Sequence, residues 1–461
     1  RCGGGIYISG SGAKIIHNKI TANTVDDTQP GSGQETYGGG IGTSHEDADY
    51  WIVIEHNQIY NNTAVTKYGW AAGGGIYDSY NARIADNIIT SNYSLATTNG
   101  MGSGGGFSHI DLDGGAANTL IILNNKFHHN TAESISGYGV DGAASTVNTH
   151  LIFTGNEITA NIGITAVNGG GMGGISVIDP AEDCIVSGNI FRENLGTVDG
   201  GALILENYSQ VPNPNLVVIS DNFFLNNQGT YGGAVRDNDI PVIFQNNVFH
   251  GNQASQRGGA IYTVKSISYP FVHLITLINN SFSENSAVNL GGAIYANKAM
   301  PLIFNSIFFN DSAGVAGPEI YLNHYIDTLD IASCNIDQEL IYGNVYDGGG
   351  NINGDPLFDD PELLTLLDDS PCIDFGTQTY ICRHGDLYMA PDYDILGYSR
   401  PQCAAVDIGA YEYVCVGIAD PGVRSSQLAV SSYPNPTNGI SHFTFYISQY
   451  QYVTLKIYDV N

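Results

Sequence analysis

The stretch NSFSENSAVNLGGAIY, Asn280 to Tyr295, holds the phrase around which the chain is built. Two Asn stand five residues apart, with an apolar residue two places after the first, and a glycine pair followed by an aliphatic residue comes next. Read as N-x-[IF]-x-x-N, the first half recurs with its first Asn at Asn18, Asn57, Asn87, Asn125, Asn156, Asn189, Asn222, Asn247 and Asn280. A further copy, Ser306 to Asp311 around Phe308, has lost both Asn. The glycine phrase keeps step, ending at Ile6, Ile41, Ile76, Phe107, Ile175, Leu203, Val235, Ile261 and Ile294, with a degenerate copy near Gly142. Repetition at 25 to 39 residues is the signature of a solenoid.

One unit, GGGIYISGSGAKIIHNKITAN from Gly3 to Asn23, breaks into three short runs of alternating apolar residues separated by Gly, Ser and Asn. This predicts three strands per unit, and no stretch has the apolar spacing of a helix. The first Asn has little beside it to make the corner between the second and third strands, so it is expected in the left-handed conformation that Asn tolerates. Stacked on its copies it would form an internal amide ladder. The apolar residue two places on gives a second column, Ile20, Ile59, Ile89, Phe127, Ile158, Phe191, Phe224, Phe249, Phe282 and Phe308, which alternation points inward. The glycine pair suits a tight corner or a close backbone approach. These Gly and Asn are read as structural.

Parallel strands stacked in coils over one continuous core make a parallel β-helix. The repeats resemble the right-handed parallel β-helix repeat family, and the GGA[IV] and FxxN pairing in Gly200 to Tyr295 is similar to the repeats of chlamydial polymorphic outer membrane proteins. The expected fold is therefore all-β: a solenoid of about ten rungs over residues 1–320, then an irregular cap and a partial β-sandwich. At about 4.8 Å between paired strands, ten rungs rise about 50 Å. Such an architecture hosts lyases, hydrolases, tailspikes and adhesins alike, so the resemblance implies a fold rather than an activity.

Only 15 Lys and Arg face 45 Asp and Glu, a formal charge of −30, which disfavours nucleic acid or an anionic membrane as partner. An acidic chain rich in Gly, Asn and Tyr is typical of a secreted, carbohydrate-facing or adhesive protein, although an acidic surface also serves solubility alone. No apolar run approaches the ~20 residues of a transmembrane helix. The sequence opens with Arg1-Cys2-Gly3 inside a repeat, so a longer amino-terminal portion is expected.

Past Asn310 the repeat decays. The phrases NINGDPLFDDPELLTLLDDSPCIDFG and SRPQCAAVDIGAYEY, within Asn351 to Tyr413, resemble the terminal choice-of-anchor Q region of bacterial β-helix proteins, which implies a capping role for residues 321–415. A linker, 416–427, leads to residues 428–461, whose YPNP opening (Tyr433 to Pro436) and closing VTLKIYDVN resemble the type A carboxy-terminal sorting domain of the type IX secretion system of Bacteroidota, without its final strands. That resemblance implies the type IX machinery as a partner and secretion or outer-membrane surface attachment as the location. No cofactor is expected. Calcium is the alternative that Asp355, Asp359, Asp360, Asp374, Asp407 and Glu412 would suit, but they lack the spacing of a known oxygen-ligand loop and capping is the favoured reading.

Cys334, Cys372, Cys382, Cys403 and Cys415 cluster where the repeats end, which suggests disulfide staples, with Cys2 and Cys184 isolated in the repeats. No two have zinc-ligand spacing. A polygalacturonase-like hydrolase needs clustered carboxylates together with GHG and RIK phrases; GHG and RIK are absent, and the basic residues a uronate lyase needs are scarce. His128, His129 and His150 cannot chelate together from adjacent strand positions. What remains is a strip on the later glycine strands. Arg236, Arg257, Lys265 and Lys298 fall there, the two Lys in equivalent places, with Tyr262 and Tyr295 beside them. Its surface reading is local neutralisation by Asp237, Asp239 and Glu284; its functional reading is an anionic extracellular polysaccharide held by the bases and stacked on the tyrosines. The sequence thus points to an exported adhesive or glycan-binding rod without catalysis, with a polysaccharide lyase acting on acidic glycans as the alternative.

Overall fold

A computed structural model describes residues 1–10, 12–28, 35–44, 51–98, 100–111, 118–135, 141–165, 170–209, 214–266, 274–324, 327–414, 430–433 and 442–445. The chain divides into two compact units, Arg1–Tyr413 and Val414–Asn461. The first is a right-handed parallel β-helix. Strands from successive rungs pair in parallel into two sheets of 12 strands and two of 10, and among the described residues the only helical turn is a 3₁₀ segment, Gln338–Leu340. Of the second unit, Val430–Tyr433 pairs antiparallel with His442–Phe445.

Each full rung has four strands rather than the three expected. In the first rung they are Ile6–Ser9, Ala13–Ile16, Lys19–Thr21 and Thr24–Asp27. The fourth arises because the second Asn of the motif also makes a corner. Both Asn stack into ladders. In the first, Asn247 Oδ1 accepts from the backbone N and the Nδ2 of Asn222, each at 3.0 Å, and Asn222 Nδ2 also donates to Val186 O at 2.9 Å. In the second, Asn252 Oδ1 holds Asn227 in the same way. Every amide atom is thereby satisfied in a dry interior, where an orphan would cost about 1–3 kcal/mol. The first ladder passes from Asn280 to Ser306 and on to Cys334, and the second passes from Asn285 to Asp311.

The expectation of left-handed corner Asn is corrected: the residue before each takes the bend. His17, His56, Asp86 and Asn124 precede the first ladder with φ of 54–59°, and Ala22, Asn61, Ser91 and His129 precede the second with φ of 53–56°. That bend turns the following amide inward, and the bent residue is left on the outside. The glycine pair does two jobs. Gly258 has φ +67°, and at Gly259 an added Cβ would lie 2.0 Å from Gly292 O of the next rung.

The predicted inward column runs in register from Ile20 to Phe308 and is buried throughout. Phe191, Phe224, Phe249, Phe282 and Phe308 stack face to face, with centroids 4.6–4.8 Å apart and planes within 4°. The first two sheets run on beyond residue 320, to Tyr342 and Gly349.

The segment after Asn351 packs against the flank of the later rungs. Tyr380, Cys382, Ala390 and Val406 cover Ile278, Leu302, Phe304 and Ala332, while Leu364, Ala410 and Tyr411 cover Leu225 and Val248. The reason lies in one outward column of the second sheet, which reads Thr154, Ser187, Ser220, Gln245 and then Ile278, Phe304, Ala332. Where it turns apolar it requires a cover. The cap's acidic residues serve its own backbone: Asp374 accepts from Ala404 N and Ala405 N, and Asp407 from Asp374 N. Among the described residues no three acidic, His or Cys side chains group as a metal site.

The expected staples are corrected in three places. Cys334, Cys372 and Cys382 are free thiols, as are Cys2 and Cys184; Cys403 is disulfide-bonded, and Cys415 lies outside the described residues. Cys334 occupies a ladder corner, where its sulfur accepts from Ser306 N, and Cys372 sits under the cap beside Asn335 Nδ2. These sulfurs are already in hydrogen bonds within separate packing clusters, Cys334 in the main core, Cys372 with Ile307 and Ile408, and Cys382 with Tyr380 and Val406.

Candidate functional site

The outward residue of each glycine strand forms a column along the first sheet. It reads Tyr7, Gly42, Tyr77, Ser108, Ser145, Ser176, Ile204, Arg236, Tyr262, Tyr295, Tyr321 and Tyr342. Rings occupy both ends and small side chains the middle. A cavity of about 580 Å³ opens over that middle stretch, within the range of small-ligand sites. Its floor is Ser145, Ser176 and Ile204. Trp70 and Met101, paired on an additional three-stranded parallel sheet, line it together with Ile110, Val147, Ile178 and the largely exposed Tyr208.

Three carboxylates and one guanidinium also line the cavity. Arg236 Nη1 donates to Glu206 Oε2 at 2.8 Å, and its Nε lies 3.5 Å from Asp199 Oδ1. Asn238 donates to the other oxygen of Glu206, and Gly170 N to Asp199 Oδ2 at 2.6 Å. Asp141 accepts from Ser176 Oγ at 3.0 Å, and Ser176 Oγ lies 3.2 Å from Ser145 Oγ. Burial pushes the Glu206 carboxyl up to about 7 against the pull of Arg236. Burial also pushes Asp141 up to about 6, with the Asp199 charge adding to the rise. For Arg236, burial works downward, but Asp199 and Glu206 outweigh it and the pKa is raised.

The strip predicted from sequence does not hold together as one site. Arg236 belongs to the cavity. Arg257 lies over the Tyr295 ring, 5.2 Å from its centroid, and donates to its hydroxyl at 3.2 Å. Tyr295 is wholly buried, with Tyr262 on one face at 5.1 Å and Tyr321 on the other at 5.7 Å. Tyrosines in register stack on one another, so Tyr295 has no face left for a sugar, and Tyr262 has Tyr231 at 5.1 Å as well. Lys265 and Lys298 do follow each other in register, since Lys265 N donates to Asn297 O; Lys265 is half-buried and Lys298 is exposed with φ 56°. Asp237 points into the core, where Thr263 Oγ1 donates to it at 2.7 Å.

Sequence reading missed Trp70, Asp141, Asp199, Glu206 and Tyr208. The available signal was the run of Ser at the position that carries Tyr elsewhere. A shallow groove of about 510 Å³ between Leu195 and Val288 is lined by no titratable side chain, and the buried pair Asp78 and His109, 3.2 Å apart, faces the core rather than the cavity. No family model, curated protein or solved structure matches this chain.

Proposed function

We propose that the chain is an exported β-helix protein that binds carbohydrate in the cavity of its first sheet, without catalysis. The observation that carries this reading is the cavity itself: aromatic and aliphatic side chains line it together with hydroxyls and carboxylates, which pairs ring stacking with acceptors for sugar hydroxyls. Three carboxylates against one guanidinium repel a polyuronide or sulfated chain, so the ligand class moves away from the acidic glycans expected from the Lys strip. The lyase alternative, in which a basic residue abstracts the proton, needs that residue neutral. The cavity's guanidinium, Arg236, is held charged between Asp199 and Glu206, which disfavours that chemistry.

Export rests on the two carboxy-terminal resemblances. The phrases similar to choice-of-anchor Q regions hold residues at the flank contact, Ala410 and Tyr411 among them, and the sorting-domain-like stretch contains the antiparallel pair described above. Together they support a protein released from, or fixed to, a bacterial outer surface, with the type IX machinery as its partner. Among the described residues no helix is long and apolar enough to cross a membrane.

A glycan array probed with the wild-type chain and with Trp70→Ala tests the reading. Binding to uncharged or basic glycans that falls about tenfold in the variant supports it, tenfold being about 1.4 kcal/mol of stacking. Binding confined to acidic glycans, or unaffected by Trp70→Ala, would overturn it.

A further inference from the structure

Asp141 is the carboxylate of the cavity that has no cation. Glu206 and Asp199 share Arg236, whereas among the described residues no Lys or Arg pairs with Asp141, which is 92 % buried given its 8 % exposure. Its side-chain partners are the neutral hydroxyls of Ser176 and Ser145. With all groups ionised the cavity holds two negative charges in excess, in a recess walled by Ile110, Val147 and Ile178, where water screens poorly. A buried charge is normally paired. Trp70 and Tyr208 add aromatic rings, whose faces attract cations. Carboxylates in excess and rings, without an accessible free base, form the complement of an ammonium group.

We infer that the sugar taken by this cavity is an amino sugar with its amine free and protonated, the ammonium seated against Asp141. This rests on the carbohydrate reading above and specifies its ligand class. Sugar hydroxyls meet Ser145 and Asn207 of the cavity wall, and the ring lies against Trp70. An N-acetylated sugar loses the charge and brings a bulkier neutral amide to the same carboxylate, so the cavity discriminates against it.

The test is calorimetric titration of the full chain with three tetramers: β-linked glucosamine, its N-acetylated counterpart, and the corresponding glucose oligomer. The glucosamine tetramer should bind about tenfold or more tightly than the other two. Asp141→Asn, which preserves the shape and the acceptor for Ser176, should abolish that preference. Equal binding of all three, or tighter binding of a neutral tetramer, overturns the amine while leaving a carbohydrate site standing. No binding of any of them overturns the amine, and the glycan array with Trp70→Ala then decides the broader reading separately. Should Asp141→Asn fail to fold, the comparison of free with acetylated tetramer on the wild-type chain still decides.

Discussion

Arg400 of the cap donates from Nη2 to Oδ1 of Asn246, 154 residues away, at 3.1 Å, while its Nη1 holds Glu412 at 2.6 Å. Asn246 is a bent corner residue, φ 52°, and its outward amide also donates to Tyr393 O at 2.8 Å. Asn279 and Asn305, the next two corners, bind the cap backbone at Asp407, Gly409 and Thr377. One sequence position thus bends every rung and, in three of them, fastens the cap.

The Arg400–Glu412 pair is fully buried, so removing one partner strands the other. Arg400→Ala is expected to cost about 3–5 kcal/mol locally. Limited proteolysis should then cut between residues 351 and 413 while the rungs before Asn189 keep their far-ultraviolet signal. Cleavage no faster than in the wild type would show that the apolar flank alone retains the cap.

A different test addresses the ladder. Asn222→Ala removes the acceptor that serves both the backbone N and Nδ2 of Asn189, together with the donors to Val186 O and Asn247 Oδ1. A loss of about 3 kcal/mol in denaturant unfolding is expected, with a similar loss for Asn227→Ala in the second ladder. An unchanged midpoint for Asn227→Ala would mean that the second corner contributes packing only.

How much of this could be read beforehand follows from where the information lies. Register, inward column and first ladder are periodic, and the period was visible from Asn18 to Asn280. The second ladder escaped because N-x-[IF]-x-x-N was read as one corner and a strand end, although both Asn recur equally. The cavity was illegible for another reason: Asp141 and Asp199 precede the glycine phrase at places whose residue type does not repeat, Trp70 stands in a connection between rungs, and only the stacking brings them together. Tyr295 misled because an alternating strand shows which face a ring is on, and says nothing of what stacks on it.

Thiol chemistry separates the cysteines. Burial pushes Cys184 and Cys334 up to about 12 and Cys372 up to about 11, so these three should stay unreactive toward a disulfide reagent in the folded chain at pH 8. Denaturation without reductant should release five thiols, those of Cys2, Cys184, Cys334, Cys372 and Cys382. A count of three or fewer would mean that further bridges form in the folded protein.

The last ladder position gives a pH dependence with a defined sign. Asp311 takes the place of the Asn, accepting from the backbone N of Asn285 at 2.7 Å and its Nδ2 at 2.8 Å. Its carboxyl meets that of Glu319, and neither Asp311 Oδ2 nor Glu319 Oε2 has another partner. A proton shared between the two carboxyls would satisfy both oxygens. Burial raises both pKa values, and for Glu319 the Asp311 charge raises it further. Acids with raised folded-state pKa values stabilise the fold fully below their unfolded values, about 4, and that contribution is lost as pH rises toward and through the folded ones. Asp311→Asn restores the ladder amide and removes one of the two carboxyls. Its unfolding midpoint should therefore match the wild type near pH 4 and exceed it increasingly at pH 6 and 8, a difference that cancels the titration of other groups. Midpoints that differ by a constant amount across that range would show that the two carboxyls do not share a proton.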